Sequence, residues 1–142
     1  MELTYKYKAA WGFTNLSYAH SAPTNNVSEW AVPGDIHTAI DAAKDQLTGL
    51  LDVKLTPVVE AAVNATYLSK RYTYTPLGNI QEYAAGTLLN GNVTLNFKPI
   101  TVLVGAYDIL NKKQPVLPAY YSGVDGLDTQ GLEGFVKVKY NF

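Results

Sequence analysis

Residues 1–13 read MELTYKYKAAWGF, and the fold turns on how this stretch is read. From Leu3 to Phe13 the odd positions are Leu, Tyr, Tyr, Ala, Trp and Phe, while the even ones are Thr, Lys, Lys, Ala and Gly. Apolar residues at every second position are the mark of a strand with one wet face. Successive side chains on a strand point to opposite sides, so Tyr5 and Tyr7 face one way and Lys6 and Lys8 the other. They cannot form one mixed basic and aromatic patch. The opening stretch therefore predicts a half-buried strand and not a nucleic-acid surface.

The same pattern returns at residues 135–142. Val136, Val138, Tyr140 and Phe142 share one face, and Lys137, Lys139 and Asn141 take the other. Two strands with matching lysine faces belong in one sheet, and exposed lysines discourage uncontrolled edge pairing. Between them, Asn15–Ala19, Val63–Tyr67 and Ile100–Tyr107 also read as strands, the last buried on both sides. Asn90-Gly91 is expected to form the two-residue turn of a hairpin, where both central residues need positive φ.

Residues 32–51, VPGDIHTAIDAAKDQLTGLL, carry a different period. Ile36, Ala39, Ile40, Ala43, Leu47, Leu50 and Leu51 recur at spacings of three and four, which predicts an amphipathic helix over about 35–51. Asp35 is placed to cap it, and Pro57 limits its continuation. Residues 21–28 and 112–134 are rich in Pro, Gly and polar side chains and read as loops. The expected architecture is a mainly β single domain over 1–142, a β-sandwich or barrel-like fold with one amphipathic α-helix.

Composition narrows the chemistry. Apolar residues make up 47% of the 142, charged residues only 16%, and the formal net charge is -1. A near-neutral chain has no general pull on phosphate, so specific nucleic-acid binding is not expected. The absence of cysteine rules out disulfides, thiolate nucleophiles and cysteine-ligated zinc. No apolar run approaches the roughly 20 residues of a helical membrane span, and Glu2, Lys6 and Lys8 interrupt any leader-like run, so neither membrane nor export is expected. The sequons at Asn15, Asn26, Asn64 and Asn92 are read as chance products of a chain rich in Asn, Ser and Thr.

Catalytic constellations are missing. His20 and His37 fall in no metal-ligand spacing, and there is no nucleophile elbow or phosphate-binding glycine loop. Asp125, Asp128 and Glu133 lie among glycines in GVDGLDTQGLEG (123–134) but do not match a calcium loop. No enzyme, metal or cofactor is expected. The eleven tyrosines are more informative. Tyr72, Tyr74, Tyr83, Tyr120 and Tyr121 lie in or beside predicted turns and loops. Tyrosine covers area at low entropic cost and keeps a polar handle, so these five are the candidate interface residues.

The order of parts is similar to that of small structural proteins of tailed bacteriophages. An opening strand and polar loop lead to Val32-Pro33-Gly34-Asp35, an Ala/Leu-rich helix to Leu51, and a turn and strand at Lys54-Leu55-Thr56-Pro57-Val58-Val59. The likeness covers residues 1–75, with an echo around 86–97, and carries over no functional residue. It implies a virion subunit made in the host cytoplasm, which self-associates and binds other virion proteins such as a major capsid protein. Capsid decoration is favoured over a tail tube, because lysine-bearing strands lining a tube would hinder DNA. A host β-domain that binds a small ligand or carbohydrate is the alternative.

Overall fold

A computed structural model describes residues 1–22, 31–32, 34–40, 42–75, 77–113 and 130–141. Seven long strands make one sheet: β1 (Glu2–Ala9), β2 (Gly12–His20), β5 (Asp45–Lys54), β6 (Val59–Leu68), β9 (Gly86–Phe97), β10 (Ile100–Tyr107) and β11 (Glu133–Tyr140). They lie side by side in chain order, each antiparallel to the next. Two small hairpins are inserted, β3 (Ala31–Val32) with β4 (Asp35–Ala39), and β7 (Arg71–Tyr74) with β8 (Ile80–Tyr83).

The connections are unequal. At one end of the sheet they span only residues 10–11, 55–58 and 98–99. At the other end they span 21–44, 69–85 and 108–132, and the first two of these carry the small hairpins. The sheet is thus a meander with a trimmed end and an elaborated end.

The mainly β class is as expected, and the helix over 35–51 is corrected. That stretch forms β4 and most of β5, and there is no helix among the described residues. Along β5, Leu47, Gly49, Leu51 and Val53 share a face and Gln46, Thr48, Leu50 and Asp52 share the other. Leu50 is an apolar side chain on the polar side. Beside Leu51 it produced the three-and-four spacing of a helix. Gly49, a poor helix former by about 1 kcal/mol, fits a strand flanked on both sides. Asp35 opens β4 and caps no helix.

Other local expectations shift as well. The strand drawn from Leu3 to Phe13 breaks at residues 10–11, and Phe13 belongs to β2. Asn90-Gly91 makes no turn: both lie inside β9, paired to Asn64 and Val63. The reversal falls instead at residues 98–99. β10 is not buried on both sides, since Val104 is 46% exposed. The two lysine-bearing strands β1 and β11 do share a sheet, at its opposite edges.

Burial is the most informative property of this fold. Ile40 is the sole buried hydrophobic side chain among the described residues. Leu3, Tyr5, Leu16, Leu51, Val93 and Val136 are each at least 40% exposed. Backbone ladders hold the sheet together, yet nothing in the described chain packs across it.

Candidate functional site

The register sorts the side chains into two faces, because directly opposed residues in antiparallel strands project to the same side. One row runs Tyr5, Leu16, Gly49, Ala65, Leu89 across β1, β2, β5, β6 and β9. Another runs Val53, Ala61, Val93, Val104, Val136 from β5 to β11. A third holds Leu51, Val63, Gly91 and Ala106. On this side of the seven strands Asp45 is the single carboxylate, no lysine or arginine occurs, and Asp45 sits at the elaborated rim. There His20 Nδ1 lies 2.8 Å from Asp45 Oδ1, and the Tyr18 hydroxyl donates to the same oxygen at 2.7 Å. The Asp45 amide donates to Ser69 Oγ at 2.9 Å. The apolar surface ends in a polar clasp.

Aromatic side chains border this surface. Tyr18 and Tyr67 stand near the elaborated end, each opposite Leu47. Phe97 and Tyr140 flank Ile100 near the trimmed end. Tyr7 belongs to the same end, its ring 6.2 Å from that of Trp11 in the short turn.

The opposite face is polar. It carries Lys6 and Lys8 of β1, Asn15 and Ser17 of β2, and Asp52 and Lys54 of β5. Glu60, Asn64 and Thr66 of β6 continue it, followed by Asn90, Asn92 and Thr94 of β9 and Lys137 and Lys139 of β11. Amide, hydroxyl or charged side chains occur on each strand of this face, together with the apolar Phe13, Leu50, Leu88 and Leu103.

The five candidate interface tyrosines are only partly brought together. Tyr72 and Tyr74 lie on the same face of the β7–β8 hairpin, with Glu82 and Ile80 opposite them. Tyr83 pairs with Arg71 on the other face. Tyr72 donates its hydroxyl to Glu82 Oε2 at 3.2 Å, and Lys70 Nζ stands 2.8 Å from Glu82 Oε1. The Lys70 hydrogen bond holds the Glu82 carboxyl below its ordinary range despite some desolvation, and the same contact raises the Lys70 ammonium. Burial pushes the Arg71 guanidinium down, against a smaller opposing pull from Tyr83. Tyr120, Tyr121, Asp125 and Asp128 lie outside the described residues.

The residues that sequence reasoning missed are the apolar-face tyrosines and aliphatics, taken as a set. The period-two signal was visible in β1, β6 and β11. Only the register shows that all seven strands put that signal on the same side. Among the described residues no group of three His, Asp or Glu is arranged to hold a metal, and no helix is long and apolar enough to cross a membrane, which says nothing about strands. Comparison with known protein families and with curated proteins finds no match.

Proposed function

We propose that the seven-stranded sheet is a wall of a membrane-spanning β-barrel, its apolar face against hydrocarbon and its polar face lining a wet interior. One observation carries this reading: a face of seven strands without charge below its rim, and without cover from the other described residues. Apolar patches of this kind are rare on soluble monomers and mark a surface that something else covers. Four independent features agree with hydrocarbon as that cover. The strands are 8 to 12 residues long, against the roughly 9–11 that a tilted strand needs to cross a bilayer. Apolar and polar positions alternate along most of them, β10 being the exception. Aromatic residues border the apolar band at both ends. Short connections at one end and long ones at the other are the usual asymmetry of such barrels. The expectation of no membrane rested on the length of a helix, a criterion that strands do not have to meet.

Closure follows from strand direction. β1 and β11 run the same way along the sheet, since five strands separate them and each neighbour is antiparallel. Joining them directly would make one parallel seam. A wall with antiparallel pairs throughout needs an odd number of further strands between them, and the open edges of β1 and β11 are where those strands add.

Trp11 in the short turn provides the test. In a Trp30→Phe variant folded into phosphatidylcholine vesicles, Trp11 fluorescence should be quenched most by lipids brominated close to the headgroup. Vesicles that float free of the protein, or Trp11 equally open to an aqueous quencher, would overturn the reading.

The two open edges favour a second reading, the virion subunit that self-associates and binds a capsid protein. There, neighbouring subunits would cover the apolar face and extend the edges by strand addition. A two-fold axis through the sheet would pair β1 with the β1 of another copy antiparallel, and would put the long loops at opposite ends. A barrel wall, with its loops on one side, does not allow that. Assembly into a closed particle in water without lipid would support this second reading against the first.

A further inference from the structure

On the polar face, Phe135 of β11 lies opposite Gly105 of β10. A Cβ at Gly105 would stand 2.5 Å from Phe135 Cζ. The missing side chain is what lets the phenyl ring lie down across the neighbouring strand instead of standing away from the sheet. Tyr107, two residues along β10, stacks on that ring with centroids 4.9 Å apart and planes 26° apart. The two rings form an aromatic stack on a face that otherwise mixes polar side chains with Leu50 and Leu103.

Beside this stack is a depression of about 110 Å³ whose lining includes Leu50, Ala62, Asn64, Asn90 and Asn92. Two of these amides are oriented by bonds to the backbone. Asn64 donates Nδ2 to the Gly49 carbonyl at 3.2 Å, which leaves its own carbonyl oxygen as an acceptor. Asn90 accepts the Asp108 amide on Oδ1 at 3.0 Å, which leaves its NH₂ as a donor. Asn64 and Asn90 are directly opposed across the β6–β9 ladder. A fixed acceptor thus stands beside a fixed donor. A hydroxyl both donates and accepts, so it satisfies such a pair as no purely donating or purely accepting group does. No charged side chain among the described residues lines the depression.

We propose that this depression is a subsite for one pyranose unit of a neutral saccharide, with the flat C–H face of the ring against the outer face of the Phe135–Tyr107 stack and its hydroxyls on the asparagine amides. A site that combines an aromatic surface with a few oriented polar groups is the usual composition of a small-ligand pocket. The absence of charge selects against phosphate and uronate. The inference needs only that the polar face is wet and does not depend on what covers the apolar face.

The test is a titration of the full ¹⁵N-labelled chain, folded in a detergent without a sugar headgroup, with maltose, cellobiose, glucuronate and sorbitol. Maltose or cellobiose should move the side-chain NH₂ signals of Asn64, Asn90 and Asn92 saturably at millimolar concentration. Sorbitol, which has hydroxyls but no ring face, should not. Phe135→Leu keeps apolar cover but removes the ring, and should weaken binding at least tenfold; Asn92→Ala should weaken it several-fold, and Lys137→Ala should leave it unchanged. Should Phe135→Leu fail to fold, the Asn92→Ala and Lys137→Ala pair decides. Absence of saturable shifts with either neutral disaccharide, equal affinity in the asparagine or phenylalanine variant, or tighter binding of glucuronate would overturn the proposal.

Discussion

The two faces of the seven-stranded sheet share the same backbone and the same strands, yet follow opposite rules. Across one, every strand contributes aliphatic or aromatic side chains, and the single carboxylate is held at the rim by His20 and Tyr18. Across the other, lysine, asparagine, threonine and carboxylates recur on strand after strand. In a soluble sandwich the apolar face is the one that disappears into the core. Here it remains open, and Val136 and Val138 are 69% and 64% exposed. Alternation alone therefore does not reveal a core. It reveals that the two faces are matched to different environments, and the cover of the apolar side must come from outside the described residues.

The comparison is broken most severely by putting a charge on the wrong side. Val63→Arg, in the middle of the apolar face, should destabilise the membrane-inserted state by about 2–4 kcal/mol. Thr66→Lys, on the same strand but the polar face, should stay within about 0.5 kcal/mol. Denaturant titrations in vesicles measure both, and equal costs would mean that the faces do not differ in environment.

Glycines sharpen the contrast at a smaller scale. A Cβ at Gly105, on the polar face, would meet Phe135 Cζ at 2.5 Å, the Gly91 carbonyl oxygen at 2.8 Å and Asn92 Cβ at 2.9 Å. The ring can swing but the carbonyl cannot, so Gly105→Ala should cost about 1–3 kcal/mol. At Gly49, on the apolar face, the nearest atom is Leu16 Cδ1 at 3.8 Å. Gly49→Ala should be neutral or slightly stabilising, because alanine loses less backbone freedom on folding. Unfolding midpoints of the two variants check this difference.

The smallest effect concerns the β7–β8 hairpin at the elaborated end. Glu82 is held below its ordinary carboxylate range by Lys70, so its contribution is present above that range and lost as pH falls through the lowered value. Lys70 is raised, so its contribution is present at neutral pH and lost only as alkaline pH passes the raised value. Both groups are exposed and the effect is local. Acidification should lower the amide protection factors of residues 71–83, after correction for the pH dependence of intrinsic exchange, and leave those of β6 and β9 unchanged, as followed by NMR.

Much of this sheet was legible in the residues, for identifiable reasons. β1 and β11 alternate cleanly between Tyr or Val and Lys, and the lysines on both edges fall on one face as expected. β5 was hidden because Leu50 interrupts its alternation and, with Leu47 and Leu51, imitates a helical stripe. β9 was split in two because Asn90-Gly91 has the chemistry of a turn, while the register uses its asparagine for the polar face and its small glycine for the apolar one. The aromatic stack was invisible, since Phe135 and Gly105 are distant in the chain and meet only through the β10–β11 register. What no local pattern could reveal is that no described residue packs across the apolar face, because a half-buried strand reads the same whatever buries it.

The absence of native cysteine permits the decisive measurement, a single-cysteine scan along β6 from Val59 to Leu68. Each position would be spin-labelled in vesicles, and its collisions with oxygen, which concentrates in hydrocarbon, compared with those of a water-soluble nickel chelate. Residues 59, 61, 63, 65 and 67 should favour oxygen and residues 60, 62, 64, 66 and 68 the chelate, in strict alternation. Odd positions shielded from both probes, or all ten open to the chelate, would contradict a lipid-facing wall.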